Sequence, residues 1–174
     1  MRWNHPARWF LVPLLALLIN SLPGCGGGQE VTAQAIRDAQ RRWIEAGIRD
    51  YDLEWISSGH RTGHYFVYVR GGRVRAVHAL LPDGRLIKQK PADPEPYGID
   101  GLFGLIEDEM AQLEEERPFG RPKGTKAVLR FTPDPELGYP RSYRRDLLGS
   151  RQGVAIDIIR LTPGADSEIP IPSL

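Results

Sequence analysis

The chain predicts an α+β fold, an antiparallel sheet of about six strands with two helices packed on one face, and three observations carry that expectation. Apolar residues recur at helical spacing over 31 to 48 and again over 99 to 113. They alternate with polar residues in six shorter windows, and each helical window is followed by three of these strands. No sequence identity links the halves, so the doubled order is an architectural expectation and not a sequence repeat.

In the first helix Ile36, Ala39, Trp43, Ile44 and Ile48 form the apolar side, with Arg37, Gln40, Arg41 and Arg42 mostly opposite. From Tyr51 the period drops to two, and Tyr51, Leu53 and Trp55 alternate with Asp52 and Glu54 as in a half-buried strand. Tyr65, Val67 and Val69 then lead to Arg70-Gly71-Gly72-Arg73, where adjacent glycines suit the positive φ angles of a two-residue hairpin loop. Val74, Ala76 and His78 return, and Pro82-Asp83-Gly84 marks a turn.

After a proline-broken connection over 90–98, Ile99, Leu102, Phe103, Ile106, Met110 and Leu113 trace the second helix. Asp100 in its first turn favours the helix dipole, whereas Glu114, Glu115 and Glu116 oppose it at the other end and predict fraying before Pro118. Ala127, Leu129 and Phe131 alternate in a fourth strand, 133–140 turns, 141–147 runs back, and Val154, Ile156 and Ile158 alternate in a sixth.

With Gly71 and Gly72 as the loop, Tyr65 is expected opposite His78, Val67 opposite Ala76, and Val69 opposite Val74, which makes one apolar face. The other face collects His64, Phe66, Tyr68, Arg70, Arg73, Arg75, Val77 and Ala79 and is expected to meet water or a partner.

The N-terminus reads as an export signal: Arg2 and Arg8 as a basic head, an apolar run from Trp9 to Ile19, and small residues beyond. Pro13 interrupts the run, which falls short of the about 20 apolar residues a spanning helix needs. Leu22-Pro23-Gly24-Cys25 resembles the bacterial lipobox. That resemblance implies a Cys25 carrying diacylglycerol and an acylated amine, and several acyl chains hold a protein firmly on a membrane. The expected division is a signal peptide over 1–24, a flexible tether over 25–30, one domain over 31–162 and a loose tail over 163–174. The address it implies is the bacterial cell envelope, on its periplasmic or extracellular face.

Cleavage leaves 150 of the 174 residues and removes Arg2 and Arg8, so the formal charge of +1 becomes −1. Such a domain lacks the global basicity that nucleic-acid binding favours. Cys25 is the chain's single cysteine, which removes disulfides, thiolate nucleophiles and cysteine-ligated metals from the exported domain.

His60-Arg61-Thr62-Gly63-His64 has a spacing that metals use, but Gly59 and Gly63 oppose a stiff helix and the predicted register puts His64 and His78 on opposite faces. Loop histidines and a hydrogen-bonded core His78 are the expectation, with no metal and no cofactor. Gly149-Ser150-Arg151-Gln152-Gly153 imitates a hydrolase elbow, yet a turn between strands lacks the following helix. Glu107, Asp108 and Glu109 read as solvated charge and Asp157 as outward-facing, so no catalytic residue is expected. Prolines 133, 135 and 140 with Gly138 make a stiff loop displaying Glu136 and Tyr139, read either as a turn setting strand register or as a recognition loop. Arg141, Tyr143, Arg144 and Arg145, and Arg70, Arg73 and Arg75 with Phe66 and Tyr68, are candidate basic-aromatic patches.

Two blocks, Tyr-Gly-Ile-Asp-Gly-Leu-Phe-Gly-Leu-Ile-Glu-Asp at 97–108 and Phe-Thr-Pro-Asp-Pro-Glu-Leu-Gly-Tyr-Pro-Arg-Ser-Tyr-Arg-Arg-Asp at 131–146, resemble the bacterial lipoprotein family called domain of unknown function 6174. The likeness extends loosely from Trp43 to Val74. Where several members of that family carry cysteines, this chain has 57–64 without one, and Gly98 replaces a capping hydroxyl. The resemblance implies an exported lipoprotein and supplies no activity or substrate.

The functional expectation is therefore a membrane-anchored, non-enzymatic binding or structural module that meets an envelope protein or an anionic polymer through its outer sheet face. Tyr139, Tyr143, Arg144, Phe66, Tyr68, Arg73 and Arg75 are its candidate contacts. The alternatives are a hydrolase or metal-dependent enzyme using His60 and His64, and an inhibitor-like module using the 133–140 loop.

Overall fold

Thr32 opens the first helix as its sequence context dictates, its hydroxyl accepting the Ala35 N–H at 3.1 Å, a cap worth about 1 kcal/mol. The computed structural model describes residues 28–59, 62–122, 124–150 and 153–164, so the signal region, Cys25, His60 and the tail from 165 onward lie outside the described residues. Helix α1 spans Ala33–Ala46 and closes on Gly47 at φ 63. Ile36, Ala39 and Trp43 are buried, but Ile44, one step round the helix from Trp43, is 74 % exposed and leaves the expected apolar side. Helix α2 spans Ile99–Leu113 and stops ahead of the three glutamates that oppose its dipole. The Trp43 indole N–H donates to Asp100 at 3.0 Å, tying the start of α2 to α1, and the Ile99 N–H donates to the Tyr51 hydroxyl at 3.0 Å.

Among the described residues eight strands, not six, form one sheet: β1 (Gln29–Glu30), β2 (Tyr51–Gly59), β3 (Gly63–Arg70), β4 (Arg73–Leu80), β5 (Leu86–Gln89), β6 (Ala127–Pro133), β7 (Pro140–Leu147) and β8 (Gly153–Pro163). Their order is β1-β6-β7-β8-β2-β3-β4-β5, and every neighbouring pair is antiparallel. The two extra strands are short and lie at the edges. Gln29 and Glu30 pair with Phe131 and Arg130, so the end of the expected tether belongs to the sheet. Pro163 pairs with Tyr51, so the expected tail begins at least one residue too early.

The two halves meet where β8 pairs with β2, and both helices cover the same face. Leu53, Val67, Val77, Leu129, Phe131 and Tyr143 face α1 and α2 there, each at most 2 % exposed. At the β3–β4 hairpin Gly71 and Gly72 have φ 61 and 74, as the two-residue loop requires. The register beyond it departs from the expectation. Val69 pairs with Val74, but Tyr68 pairs with Ala76, so Arg75 is an extra residue in a bulge. Past that bulge every β4 side chain changes face. Val77 is buried against Val67, whereas Ala76 and His78 move to the outer face.

Candidate functional site

A cavity of about 360 Å³ lies between α2 and the helix-facing side of the sheet. Strand β2 contributes Trp55 and Ser57, β3 Tyr65, β8 Val154 and Ile156, α2 Leu102 and Leu105, and a 3-10 turn over Glu95–Tyr97 contributes Pro96 and Tyr97. Three of these rings form one cluster: Trp55 to Tyr65 at 4.6 Å between centroids, Tyr65 to Tyr97 at 5.3 Å, and Trp55 to Tyr97 at 6.0 Å. The alternation of β2 delivers Tyr51, Leu53, Trp55 and Ser57 to the same face, which is why a polar Ser57 appears among apolar neighbours.

Among the described residues, Glu109 and Arg145 bring the only charges to the cavity lining. Glu109 was expected in solvent with Glu107 and Asp108; those two are exposed, but Glu109 is 5 % exposed. It lies seven residues past Leu102 and three past Ile106, so it belongs to the apolar stripe itself. Tyr143 and Arg145, two apart on β7, both face α2 and both reach it. The Tyr143 hydroxyl donates to one carboxylate oxygen at 2.5 Å and Arg145 Nη1 to the other at 2.7 Å. The guanidinium also sits 4.5 Å from the centroid of Phe119, the one non-glycine with positive φ among the described residues.

Burial pushes the Glu109 carboxyl above its ordinary value, against the opposing pull of the Tyr143 hydrogen bond and the Arg145 charge. Burial, then the neighbouring carboxylate, drives the Tyr143 hydroxyl far up, so it stays a protonated donor. Trp55 Nε1 and Arg145 Nε are buried without an acceptor.

The expected contact residues separate. Tyr143 is 1 % exposed and faces α2, so it cannot touch a partner, and Arg145 leaves the supposed patch with it. Arg144 points the other way, where its Nη2 grips both Asp157 oxygens at 2.7 and 2.8 Å; Asp157 does face outward. Tyr68 is on the outer face but 7 % exposed, edge-on to His78 at 5.6 Å. Phe66 is half-buried and stacks on His64 at 5.0 Å. Arg73 and Arg75 are exposed.

Cross-strand ion pairs lace that outer face: Arg130 with Asp146 at 2.6 Å, Arg70 with Asp52 at 2.9 Å, and Glu54 with both His64 at 2.9 Å and Arg160 at 3.3 Å. The Arg70–Asp52 contact is close enough to pair charges but is not aligned as a hydrogen bond. Positive and negative charges alternate from strand to strand, so most of the face is neutralised locally and is not a basic stripe. His78 lies here and not in the core; its Nδ1 is buried without a partner, and burial followed by the Lys88 charge lowers its pKa.

The 133–140 loop folds back onto α1. Asp134 accepts the N–H groups of Glu136 at 3.0 Å and Leu137 at 2.8 Å, and the Asp134 N–H donates to Tyr139 O at 2.7 Å. Gly138, at φ 82, lies directly on the Ala39 carbonyl, and the Tyr139 ring meets Trp43 edge-on at 6.4 Å. Tyr139 is thus half-covered, while Glu136 stays exposed. This geometry fits the turn-setting reading, since the loop packs against the domain instead of projecting.

His60 and Cys25 lie outside the described residues. Among the described residues no cluster of three or more His, Cys, Asp or Glu side chains is arranged to hold a metal, and no helix is long and apolar enough to cross a membrane. No protein-family model matches the chain, and no curated protein matches it at a significant level.

Proposed function

We propose that the chain is an exported, lipid-anchored, non-enzymatic binding module whose ligand enters the cavity under α2. The ring-walled cavity with its buried, neutralised polar pair is the observation that carries the reading. An apolar space of that size beside a few convergent polar groups is the common form of a small-molecule site. Both Glu109 oxygens are already engaged and Tyr143 holds its proton, so the pair orients and recognises more readily than it attacks or abstracts. The N-terminal signal pattern, the Cys25 lipobox and the likeness of 97–108 and 131–146 to a lipoprotein family support the address.

Native mass spectrometry of the protein released from its own membrane tests both parts. The parent chain should carry an acyl mass on Cys25 and a one-to-one small-molecule adduct. Cys25→Ser should lose the first and Leu105→Trp, which places an indole in the cavity, only the second. An unmodified Cys25 refutes the anchor, and an adduct that persists in Leu105→Trp refutes the cavity.

A further inference from the structure

We infer that the cavity selects an uncharged ring compound bearing one hydroxyl or carbonyl oxygen, an inference that rests on the cavity being the ligand site. The wall sets the shape. Trp55, Tyr65 and Tyr97 offer ring faces and edges within 6.0 Å of one another, and Leu102, Leu105 and Ile156 complete an apolar surround. Such a surface gains most from a flat apolar body, which packs against rings with offset or edge-on geometry.

The buried pair sets the charge. Glu109 and Arg145 sit 2.7 Å apart, and no third ionised group among the described residues lines the cavity. Each partner is already compensated, so an entering ion would shed its hydration and find no counter-charge waiting. An uncharged ligand escapes that penalty.

The unmet donors set the polar group. Trp55 Nε1 and Arg145 Nε belong to side chains of the cavity wall and are buried without an acceptor. A buried N–H in that state gains more from an acceptor than one already shared with water. Both nitrogens are closed to solvent, so a small rotation of the indole or the guanidinium must bring them onto a ligand oxygen. One oxygen on a ring is enough to receive either.

The experiment compares three naphthalene probes on the full-length chain in phospholipid nanodiscs, with empty discs as blank, by titration calorimetry at pH 7. The probes are 2-naphthol, naphthalene-2-sulfonate and protonated 2-naphthylmethylamine. The expected result is 2-naphthol binding at least about tenfold more tightly than either ion, with Leu105→Trp abolishing it. Glu109→Gln removes the negative partner and should turn the preference toward the sulfonate. An ion that matches 2-naphthol on the parent chain overturns the neutral-ligand inference while leaving the cavity as the site. Equal uptake of all three by the parent chain and Leu105→Trp, or no uptake at all, overturns the cavity reading as well. Where Glu109→Gln does not fold, the parent and Leu105→Trp titrations decide the matter alone.

Discussion

Arg145→Leu should unfold about 3–5 kcal/mol more easily than the parent chain, because it strands the Glu109 carboxylate in a buried site with Tyr143 as its remaining partner. Replacing both members, Glu109→Leu with Arg145→Leu, should regain most of that loss. A buried ion pair and a well-packed apolar pair are often close in stability, whereas half a pair is not. Urea titrations of the two single variants and the double variant measure this, with the midpoint as readout. A double variant as unstable as Arg145→Leu would show that packing, not uncompensated charge, sets the cost.

The pH dependence has a definite sign. Glu109 titrates above its ordinary value of 4.5 in the folded chain, so its favourable contribution is complete below that value and is lost as pH rises through the raised one. Arg145 is one of the influences holding the carboxyl down. Its removal moves the carboxyl further up, so the deficit of Arg145→Leu should be small near the ordinary carboxylate range and grow toward neutrality. A deficit that shrinks as pH rises contradicts the assignment.

Gly138→Ala is the second large effect. The left-handed φ of 82 alone costs a residue with a Cβ about 1–2 kcal/mol. The added carbon would also overlap the Ala39 carbonyl oxygen and approach Arg42 Cβ to 2.8 Å, so the loop must lift from α1. A loss of about 2 kcal/mol or more is expected, together with a weakened near-ultraviolet circular dichroism signal from the Trp43–Tyr139 edge contact. A variant that keeps both its stability and that signal would show that the loop does not depend on this close approach.

The main elements were legible because their periodicities are long and consistent. Tyr51, Leu53 and Trp55 announce β2, and the Gly71-Gly72 pair announces the β3–β4 hairpin. The edge strands were not. Gln29–Glu30 and Leu86–Gln89 are too short to show a period, and only their pairing with longer neighbours makes them strands. The Arg75 bulge was hidden for a related reason: with one residue inserted, Val74 and Val77 both reach the core at a spacing that strict alternation forbids.

The candidate site was half visible. Glu109 stands on the Leu102 and Ile106 stripe, but it closes a run of three consecutive acids that fan around the helix and so read as solvated charge. Arg145 follows Tyr143 by two, a spacing that already places them together on one face of β7. What no local pattern shows is that β7 crosses beneath the last turns of α2, since that meeting depends on the strand order.

That order also governs when the protein can form. The centre of the sheet is the seam between β2, near the start of the domain, and β8, at its end. During synthesis the first half therefore waits with an unfilled edge and a half-covered core until about the last stretch of the domain emerges. Such long-range closure is slow and late. Under the proposed export this delay would be an advantage, because a chain that cannot finish its sheet early is still able to be threaded across a membrane.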